Sequence, residues 1–424
     1  MTTAGVVGRD AELARLRAFL AAARGRFSFL SLEGEPGIGK TALWREAVRE
    51  ARAAGTRVLA CRPSAAEAKL SWAGVADLLD EVAGPELDRL PEPQHEALEA
   101  ALLRAPVRAE RGRVLARGVA SALLTLVRAL AADAPLLLAV DDWQWLDGPS
   151  RRALQFTARR LDGEPIGLLS SLRLPSDEPP CDQWLDDSRV VRLHLSGLAS
   201  PALARIAADR LGRPLGRSSL TRLQRVSGGN PLHALELVRL LDGRQDGTAG
   251  ADLPVPEDLQ ALTEARVRRL APAVREALLL AAVLSEPDAS SPGLNGLSAQ
   301  DSDGIVLVAA GGRIEFAHPL FAAAAYASLS PAERRRLHRR AAEVVSDPEG
   351  HARHLALATA GPDPEVAAEL DHAAQLASVR GAPDAAAELS ELAAERTAPG
   401  APGARAARLV RAAALHLETG DLER

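Results

Sequence analysis

A glycine-rich segment near the start of the chain carries residue types that bind phosphate. It reads GEPGIGKT from Gly34 to Thr41 and includes Gly37, Gly39 and Lys40. Glycines let successive backbone N–H groups surround a phosphate, and a helix starting at the lysine adds the partial positive charge of its N-terminus. In loops of this spacing the lysine reaches the β- and γ-phosphates, and the threonine hydroxyl is a ligand of Mg²⁺. The segment predicts a nucleotide-binding loop, with an ordinary glycine turn as the alternative.

Lysine is rare in this chain, so its positions are informative. It occurs only at Lys40 and Lys69, and arginine supplies the other forty-nine of the 51 basic residues. On a solvated surface arginine replaces lysine at little cost, but its guanidinium is a wide planar fork whereas the lysine ammonium is a slender point charge. A lysine kept against this bias indicates a steric or chemical requirement, and phosphate binding at Lys40 supplies one.

Two adjacent carboxylates follow an apolar segment further along the chain. Residues 136–140 read LLLAV and are followed directly by Asp141 and Asp142. Ligands of parallel sheets bind at the carboxyl ends of the strands, so we predict that Asp141 holds Mg²⁺ through water and that Asp142 polarises the attacking water. Arg173 ends the next apolar segment and would neutralise a γ-phosphate at the same edge. Solvated acids at a strand end and an ordinary surface arginine are the alternatives.

Apolar segments alternate with helical segments through the first 195 residues. The predicted strands lie at residues 26–32, 57–61, 135–141, 165–173 and 189–195. Strands that alternate with helices predict a parallel sheet covered on both faces. We therefore expect an α/β domain over residues 1–195.

Helical patterns dominate the rest of the chain. We expect a helical lid over residues 196–250, a winged-helix-like domain over 251–345 and a helical tail over 346–424. The middle domain contains IVLVAAGGRIEFAHP, typical of a hairpin with a Gly-Gly turn. In the tail, two imperfect copies of a turn recur at a spacing near that of a 34-residue helical repeat, which predicts tetratricopeptide-like (TPR-like) repeats. The second copy coincides with the end of the chain, so we expect a truncated repeat array.

Composition excludes several classes of function. The net charge is −5 and the isoelectric point about 6.1, so the chain as a whole does not attract nucleic acid or anionic lipid. Twelve scattered aromatic residues are too few for base-stacking platforms. The two cysteines, Cys61 and Cys181, match no metal or disulfide spacing. The early charge at Arg9 argues against a signal peptide, and no uncharged apolar run approaches the roughly 18 residues of a membrane helix. We expect a cytoplasmic protein without a membrane partner.

Several motifs together resemble one bacterial family. They occur within residues 6–345 and read VVGRDAELARL, GEPGIGKTAL, LLLAVDDWQWLD, LLSSLR, SGGNPLHALELVRLL and FAHPLFAAAAYASLSPAERRRLHRRAAEVV. In this order they resemble the large ATP-binding LuxR-type transcriptional regulators, the MalT-like branch of the signal-transduction (STAND) P-loop ATPases. The resemblance implies an α/β P-loop NTPase fold of the AAA and STAND type, followed by a helical lid, a winged-helix-like module and a TPR-like tail.

The resemblance also implies a switch controlled by ATP, ADP and Mg²⁺. Gly8 and Arg9 would lie near the adenine, and Asn230 and Pro231 would lie where the lid meets the nucleotide. His318 would latch the closed form by touching the β-phosphate of ADP, with a structural hydrogen-bonding histidine as the alternative. The ATP state would self-associate, and an inducer or protein partner would bind the helical tail. From residue chemistry alone, Asn230 and Pro231 are a helix cap and a first helical residue.

The chain departs from that family in two places. No DNA-reading helix-turn-helix follows Ser330, so we expect no direct DNA binding by these residues. The stretch 285–304 is rich in Ser, Pro and Asp where further helix is expected, so the winged-helix region is shortened.

Two other functions stay open: a continuously cycling AAA-type motor of the origin-binding or remodelling kind, and a small-molecule kinase or sulfotransferase-like enzyme. The predicted catalytic residues are Asp142, Lys40 and Arg173, in a slow Mg²⁺-dependent ATPase.

Overall fold

A five-stranded parallel sheet forms the first part of the protein. The computed structural model describes residues 6–65, 68–82, 84–102, 112–174, 189–242, 266–285, 287–309, 311–317 and 319–419, together with 185 and 264. The strands are β1 Ser28–Gly34, β2 Arg57–Cys61, β3 Leu136–Val140, β4 Ile166–Arg173 and β5 Val190–His194. They lie in the order β2-β3-β4-β1-β5, and every pairing is parallel. The predicted parallel α/β fold is confirmed.

Helices cover both faces of this sheet. They are α1 Asp10–Ala23, α2 Lys40–Ala53, α3 Ala73–Leu78, α4 Gly84–Leu87, α5 Glu92–Ala101, α6 Gly112–Asp133 and α7 Gly148–Ala158. Successive side chains of a strand point to opposite faces. In β1, Leu30 and Leu32 pack with helices α1 and α2, whereas Phe29 packs with helices α3 to α7. Burial on both faces explains why these strands are almost continuously apolar.

Helix α6 is the longest element of the described chain. Its segment Leu115–Asp133 is long and apolar enough to cross a membrane by length and composition. In the structure Leu123, Leu126 and Leu130 are buried in the core between the helices and the sheet. The apolar character of α6 therefore serves its packing against helices α5 and α7 and the sheet.

Three helices follow the sheet and form the lid: α8 Ser200–Leu211, α9 Arg217–Ser227 and α10 Pro231–Asp242. Their apolar faces meet in a small core of their own around Leu203, Leu223 and Val238. Helix α8 ends at Gly212, whose φ of +66° is the left-handed conformation that commonly terminates helices.

A hairpin module lies between the lid and the tail. It consists of α11 Pro272–Val283, β6 Val306–Val308, β7 Ile314–Phe316, α12 Pro319–Ala327 and α13 Pro331–Val344. The two strands are antiparallel, as the Gly-Gly turn predicted. Helix α13 begins with a capping box in which Ser330 and Glu333 bond each other's backbone N–H groups. Residues 287–304 contain turns, and Leu294 and Leu297 anchor them in the module's core.

The tail is built from four helices: α14 Pro348–Ala358, α15 Pro364–Val379, α16 Pro383–Glu395 and α17 Pro402–Thr419. Proline at the first turn starts these helices, and Asp347 and Asp363 cap two of them. The core of the tail is mostly alanine, with Leu370, Leu389 and Leu415 as its large members. Small side chains allow the helices to approach closely.

Candidate functional site

The predicted nucleotide-binding loop connects strand β1 to helix α2. Gly39 immediately precedes the helix with φ +106°, and Gly37 has φ +80°, conformations that favour glycine. Gly34 pairs in register with Arg173 of the neighbouring strand β4. Because all five strands are parallel, the loop, the residues after β3 and the end of β4 meet at one edge of the sheet.

Lys40 is almost fully buried beneath the loop, with 5% of its surface exposed. Its Nζ donates to the carbonyl oxygens of Gly34 at 2.8 Å and Glu35 at 2.9 Å. Burial lowers the pKa of Lys40 to about 8, against the opposing charge of Asp142. The ammonium therefore keeps its proton at neutral pH and holds a positive charge under the loop.

Asp141 faces the hydroxyl at the start of helix α2. Thr41 Oγ1 donates to Asp141 Oδ1 at 3.3 Å, and Ser171 Oγ donates to the same oxygen at 2.6 Å. Arg62 Nε lies 3.6 Å from Asp141 Oδ2. Burial and the neighbouring charge of Asp142 raise the pKa of Asp141. A divalent cation at this carboxylate would relieve that unfavourable burial.

Asp142 is held by the arginine that ends strand β4. Its two carboxylate oxygens accept hydrogen bonds from Arg173 Nε and Nη2, each at 3.0 Å, and Gln144 donates to Oδ1 at 2.8 Å. Burial opposes ionisation, but the bonds and charge of Arg173 lower the pKa of Asp142 below its ordinary value. Asp142 also has φ +54°, an uncommon conformation for a residue other than glycine. Arg173 lies over the ring of Trp145, 5.6 Å from its centroid.

Gly8 and Arg9 lie against the loop and the lid. Arg9 Nη2 donates to the carbonyl oxygens of Ile38 at 2.9 Å and Ser196 at 2.7 Å. A Cβ on Gly8 would lie 2.3 Å from the Cβ of Ala202 in helix α8, so only glycine fits there. These two residues join the phosphate loop to the start of the lid.

Asn230 joins the lid directly to the phosphate loop. Its Oδ1 accepts from the N–H of Leu232 at 3.1 Å, which caps helix α10, and its Nδ2 donates to the carbonyl oxygen of Pro36 at 2.9 Å. Pro231 is the first residue of α10. The predicted cap and first helical residue are confirmed. Gly37 lies so close that a Cβ there would be 2.8 Å from Leu232 Cβ.

Of the predicted site residues, one group meets at the sheet edge: Gly34, Gly37, Gly39, Lys40, Thr41, Asp141, Asp142 and Arg173. Gly8, Arg9, Asn230 and Pro231 border it. His318 and its predicted phosphate contact fall outside the described residues, as does Cys181. Cys61 is buried at the end of strand β2.

Three residues at this edge were missed from the sequence. Ser171 bonds Asp141, and Arg62 connects Asp141 to the hairpin module by an ion pair with Glu315 of strand β7. Arg45 Nη2 of helix α2 also pairs with Glu315, at 3.2 Å. Burial would raise the pKa of Glu315, but its two arginine partners lower it. Arginine is too common here to signal such a contact, but Ser171 could have been found from its place two residues before Arg173.

The donor set fits Mg²⁺ and a nucleotide. Apart from its chain neighbours, no described residue has an atom within 4 Å of the position that a Cβ on Gly39 would take, so the loop opens on free space there. Lys40, Thr41 and Asp141 supply one ammonium and two oxygen ligands beside it. Across the described chain, no three His, Cys, Asp or Glu side chains are arranged to hold a metal ion. Mg²⁺ at this edge would therefore take further ligands from phosphate oxygens and water.

The parallel sheet, with the phosphate loop and carboxylates at one edge, defines a P-loop ATPase fold, and a helix-rich carboxyl-terminal region follows it. Residues 5–169 match the family model described as the AAA ATPase domain. No curated protein matches the chain in sequence.

Among solved structures, the chain is similar to a Signal Transduction ATPase with Numerous Domains (STAND) protein with a tetratricopeptide repeat sensor from Pyrococcus horikoshii. The TM-score is 0.53 at 12% identity, over 99% of this chain and 64% of that one, so this chain spans less than two thirds of its length. This likeness concerns the fold.

Two further similar structures are Cdc6p from Pyrobaculum aerophilum and the ORC1 protein from Aeropyrum pernix in complex with DNA. The first has a TM-score of 0.37 at 16% identity, over 75% of this chain and 92% of that one. The second has a TM-score of 0.36 at 18% identity, over 76% and 93%.

Proposed function

We propose that this chain is a nucleotide-controlled switch. ATP and ADP bind the phosphate loop with Mg²⁺, and the bound nucleotide sets the arrangement of the lid, the hairpin module and the tail. Hydrolysis is slow, so the nucleotide state persists as a memory, and the ATP state self-associates. The observation that carries this proposal is the pairing of Asp142 with Arg173.

The ion pair with Arg173 engages both oxygens of the carboxylate that is predicted to be catalytic. Both oxygens of Asp142 are bonded to Arg173 at 3.0 Å, and the low pKa that results makes this carboxylate a weak base. Arg173 must release Asp142 before the carboxylate can orient an attacking water. A γ-phosphate is the anion that would compete for the guanidinium. One arginine would thus sense ATP and restrain hydrolysis, which favours a slow switch over a continuously cycling motor.

The other site residues receive roles in the same scheme. Lys40 neutralises the β- and γ-phosphates, and Thr41 and Asp141 hold Mg²⁺, Asp141 through water. When nucleotide is bound, its phosphates supply the electrophilic centre that water attacks. Asn230 reports the state of the loop to the lid, because its side chain bonds Pro36 and helix α10 at once. Gly8 and Arg9 lie near the adenine.

We further propose that the switch belongs to a LuxR-type transcriptional regulator of the MalT-like branch. The sequence motifs support this, together with the shared fold of a STAND protein that carries a repeat sensor. The units are then an ATPase domain over 1–195, a lid over 196–250, a winged-helix-like domain over 251–345 and TPR-like repeats over 346–424. An inducer or protein partner binds the tail, and the chain is cytoplasmic. The second candidate is an AAA-type motor, which the family model of residues 5–169 equally allows.

The nucleotide that accompanies the purified protein separates these two candidates. We expect ADP at close to one per chain after gel filtration, measured by chromatography of the denatured sample. Protein that is free of nucleotide and hydrolyses many ATP molecules per second would support the motor and overturn the switch.

Three variants test the division of roles within the site. We expect Lys40→Ala to abolish ATP binding, and Asp142→Asn to bind ATP but not hydrolyse it, because one residue neutralises phosphate charge and the other positions water. Lys69→Ala is the matched control, since Lys69 is the other lysine and pairs on the surface with Glu388. Equal loss of ATP binding in the first two variants would contradict the assignment.

The proposed latch at His318 has its own test. A nearby phosphate would favour the protonated imidazole, which can donate to a phosphate oxygen. We expect His318→Ala to release ADP faster and to increase self-association, with the ATP affinity of the open form unchanged. An ADP dissociation rate equal to that of the unmodified protein in a filter-binding chase would make His318 structural.

A further inference from the structure

A large cavity lies beside the nucleotide site, and only its rim at Asp141, Asp142 and Arg173 is used by the scheme above. Its volume is about 580 Å³, within the range of small-molecule sites. Its walls come from three parts of the molecule: the sheet edge around Trp145 and Arg173, the hairpin module around Phe316, and the tail around Arg353. The phosphate loop and Lys40 do not line it.

Much of the cavity wall is apolar. Its lining includes Leu284 and Phe316 of the hairpin module and Leu357 and Leu392 of the tail. Leu357 keeps 41% of its surface exposed, although it lies between two packed units. An apolar side chain exposed inside a concave wall is a contact surface for a ligand with an apolar body.

The charged side chains of the wall are nearly balanced, with an excess of one positive charge. The basic members are Arg62, Lys69, Arg173, Arg313 and Arg353, and the acidic members are Asp141, Asp142, Glu315 and Glu388. His338 and His354 also line it, and burial lowers the pKa of each to about 4, so both are neutral at pH 7. The wall therefore favours an anion over a cation.

Two nitrogen atoms of the Arg353 guanidinium have no hydrogen-bond acceptor within the described chain. Only 12% of its side chain is exposed, and Nη2 donates to Glu388 Oε2 and to the carbonyl oxygen of Lys69, each at 3.1 Å. Its Nε and Nη1 are buried, and within the described chain neither has an acceptor. Buried N–H groups of a charged side chain are costly when unpaired. An anionic group entering from the cavity, with a small shift of the guanidinium, would satisfy them.

We propose that this cavity binds a small organic anion with an apolar body. Its acidic group, a carboxylate, sulfonate or phosphate, pairs with Arg353, and its apolar body packs against Leu284, Leu357 and Leu392. The ligand touches the sheet edge, the hairpin module and the tail together, so it stabilises their closed arrangement. The anion-binding residue Arg353 and the apolar wall lie outside the nucleotide site, although the cavity shares Asp141, Asp142 and Arg173 with that site.

The probe for this test is anilinonaphthalenesulfonate (ANS), a fluorescent anion with an aromatic body. We expect one ANS per chain with enhanced, blue-shifted emission and a higher melting temperature of the complex. Arg353→Met should weaken binding at least tenfold. Arg408→Met is the matched control, because Arg408 is similarly buried in the tail and pairs with Asp371 away from the cavity.

Two more variants show where the probe binds. Ala323→Trp places a large side chain into the cavity from an exposed position on helix α12 and should abolish binding. Lys40→Ala should leave the ANS affinity unchanged, which separates this site from the nucleotide site. Near-ultraviolet circular dichroism checks that each variant keeps its tertiary packing, since ANS also binds partly unfolded protein.

A further measurement leaves both the cavity-filling position and Arg353 intact. Trp145 lines the cavity and Trp44 does not, so ANS bound there should quench Trp145 more strongly. We expect Trp145→Phe to remove more of the ANS-dependent quenching than Trp44→Phe. Absence of stoichiometric ANS binding, or binding unaffected by both Arg353→Met and Ala323→Trp, would overturn the proposal.

Discussion

A buried ion pair within the tail, bonded also to the α/β domain, offers a quantitative test of how these two parts are held together. Arg380, 7% exposed between helices α15 and α16, donates from Nη1 to Glu349 Oε1 at 2.6 Å. Its Nη2 donates to the carbonyl oxygens of Ser71 at 2.9 Å and Ala101 at 3.1 Å. Glu349 is 1% exposed and accepts from Ser71 Oγ at 2.7 Å. One guanidinium thus satisfies a buried charge and two carbonyl groups of the sheet domain.

Arg380→Met removes the guanidinium and keeps the apolar stem. Breaking a buried pair by removing one partner costs about 3–5 kcal/mol, because the remaining charge stays buried without compensation. We expect a loss of that size in the free energy that docks the tail. Adding Glu349→Gln removes the stranded charge, so the double variant should recover about 2 kcal/mol relative to the sum of the two single variants.

The loss should also depend on pH. Burial raises the pKa of Glu349 and Arg380 opposes that rise, so without Arg380 the pKa rises further. A carboxyl group whose pKa is raised in the folded state adds stability below its unfolded pKa and loses it as pH rises through the folded pKa. The penalty of Arg380→Met is therefore expected to be smaller at about pH 5 than at about pH 8.

Hydrogen exchange of the amides in helices α14 to α16 measures this loss locally, which matters because a chain with several cores need not unfold in one step. Arg411→Met is the control, since Arg411 is half exposed on the same tail and pairs with Asp371. Arg411→Met should lower the free energy of tail docking by less than about 1 kcal/mol. The reasoning would be refuted if Arg380→Met changed the free energy of tail docking by less than about 1 kcal/mol. It would also be refuted if the effects of Arg380→Met and Glu349→Gln simply added in the double variant.

Three further predictions follow from other contacts. Mg-ATP should change the intrinsic fluorescence through Trp145, which contacts Arg173, and Trp145→Phe should remove that change; an unaltered spectrum at saturating nucleotide would contradict this placement. Burial lowers the pKa of His338 and His354 to about 4, so both take up a proton more readily in the unfolded state, and their rings are hydrogen-bonded Nδ1 to Nδ1 at 3.0 Å; the free energy of unfolding should therefore fall by about 2 kcal/mol for the pair as pH drops from 6.5 toward 4, measured by thermal melts, and a flat profile would contradict it. Asn230→Ala should lower the free energy of unfolding by about 1–2 kcal/mol and speed amide hydrogen exchange in the lid. Asn230→Asp keeps the cap acceptor but loses the bond to the phosphate loop. Equal amide exchange of the lid in both variants would show that this bond does not hold the lid.

Much of the fold was predictable because its signals are local. The five strands follow apolar segments of the chain, and the phosphate loop follows from the spacing of glycines between a strand and a helix. Asn230 and Pro231 mark the start of helix α10 because a side-chain cap and a fixed φ act within a few residues. Asp141 and Asp142 could be placed at the sheet edge because residues after a buried parallel strand have no other position available.

The partners of these residues were decided by the tertiary structure. Arginine occurs throughout the chain, so its type alone could not show that Arg173 clamps Asp142, that Arg62 reaches Glu315, or that Arg380 reaches Glu349 and Ser71. The carbonyl oxygen of Ser71 lies 309 residues from Arg380 along the chain. Such pairs form because the packed sheet, hairpin module and tail enclose charges that must then find partners, and no short-range pattern records which segments meet.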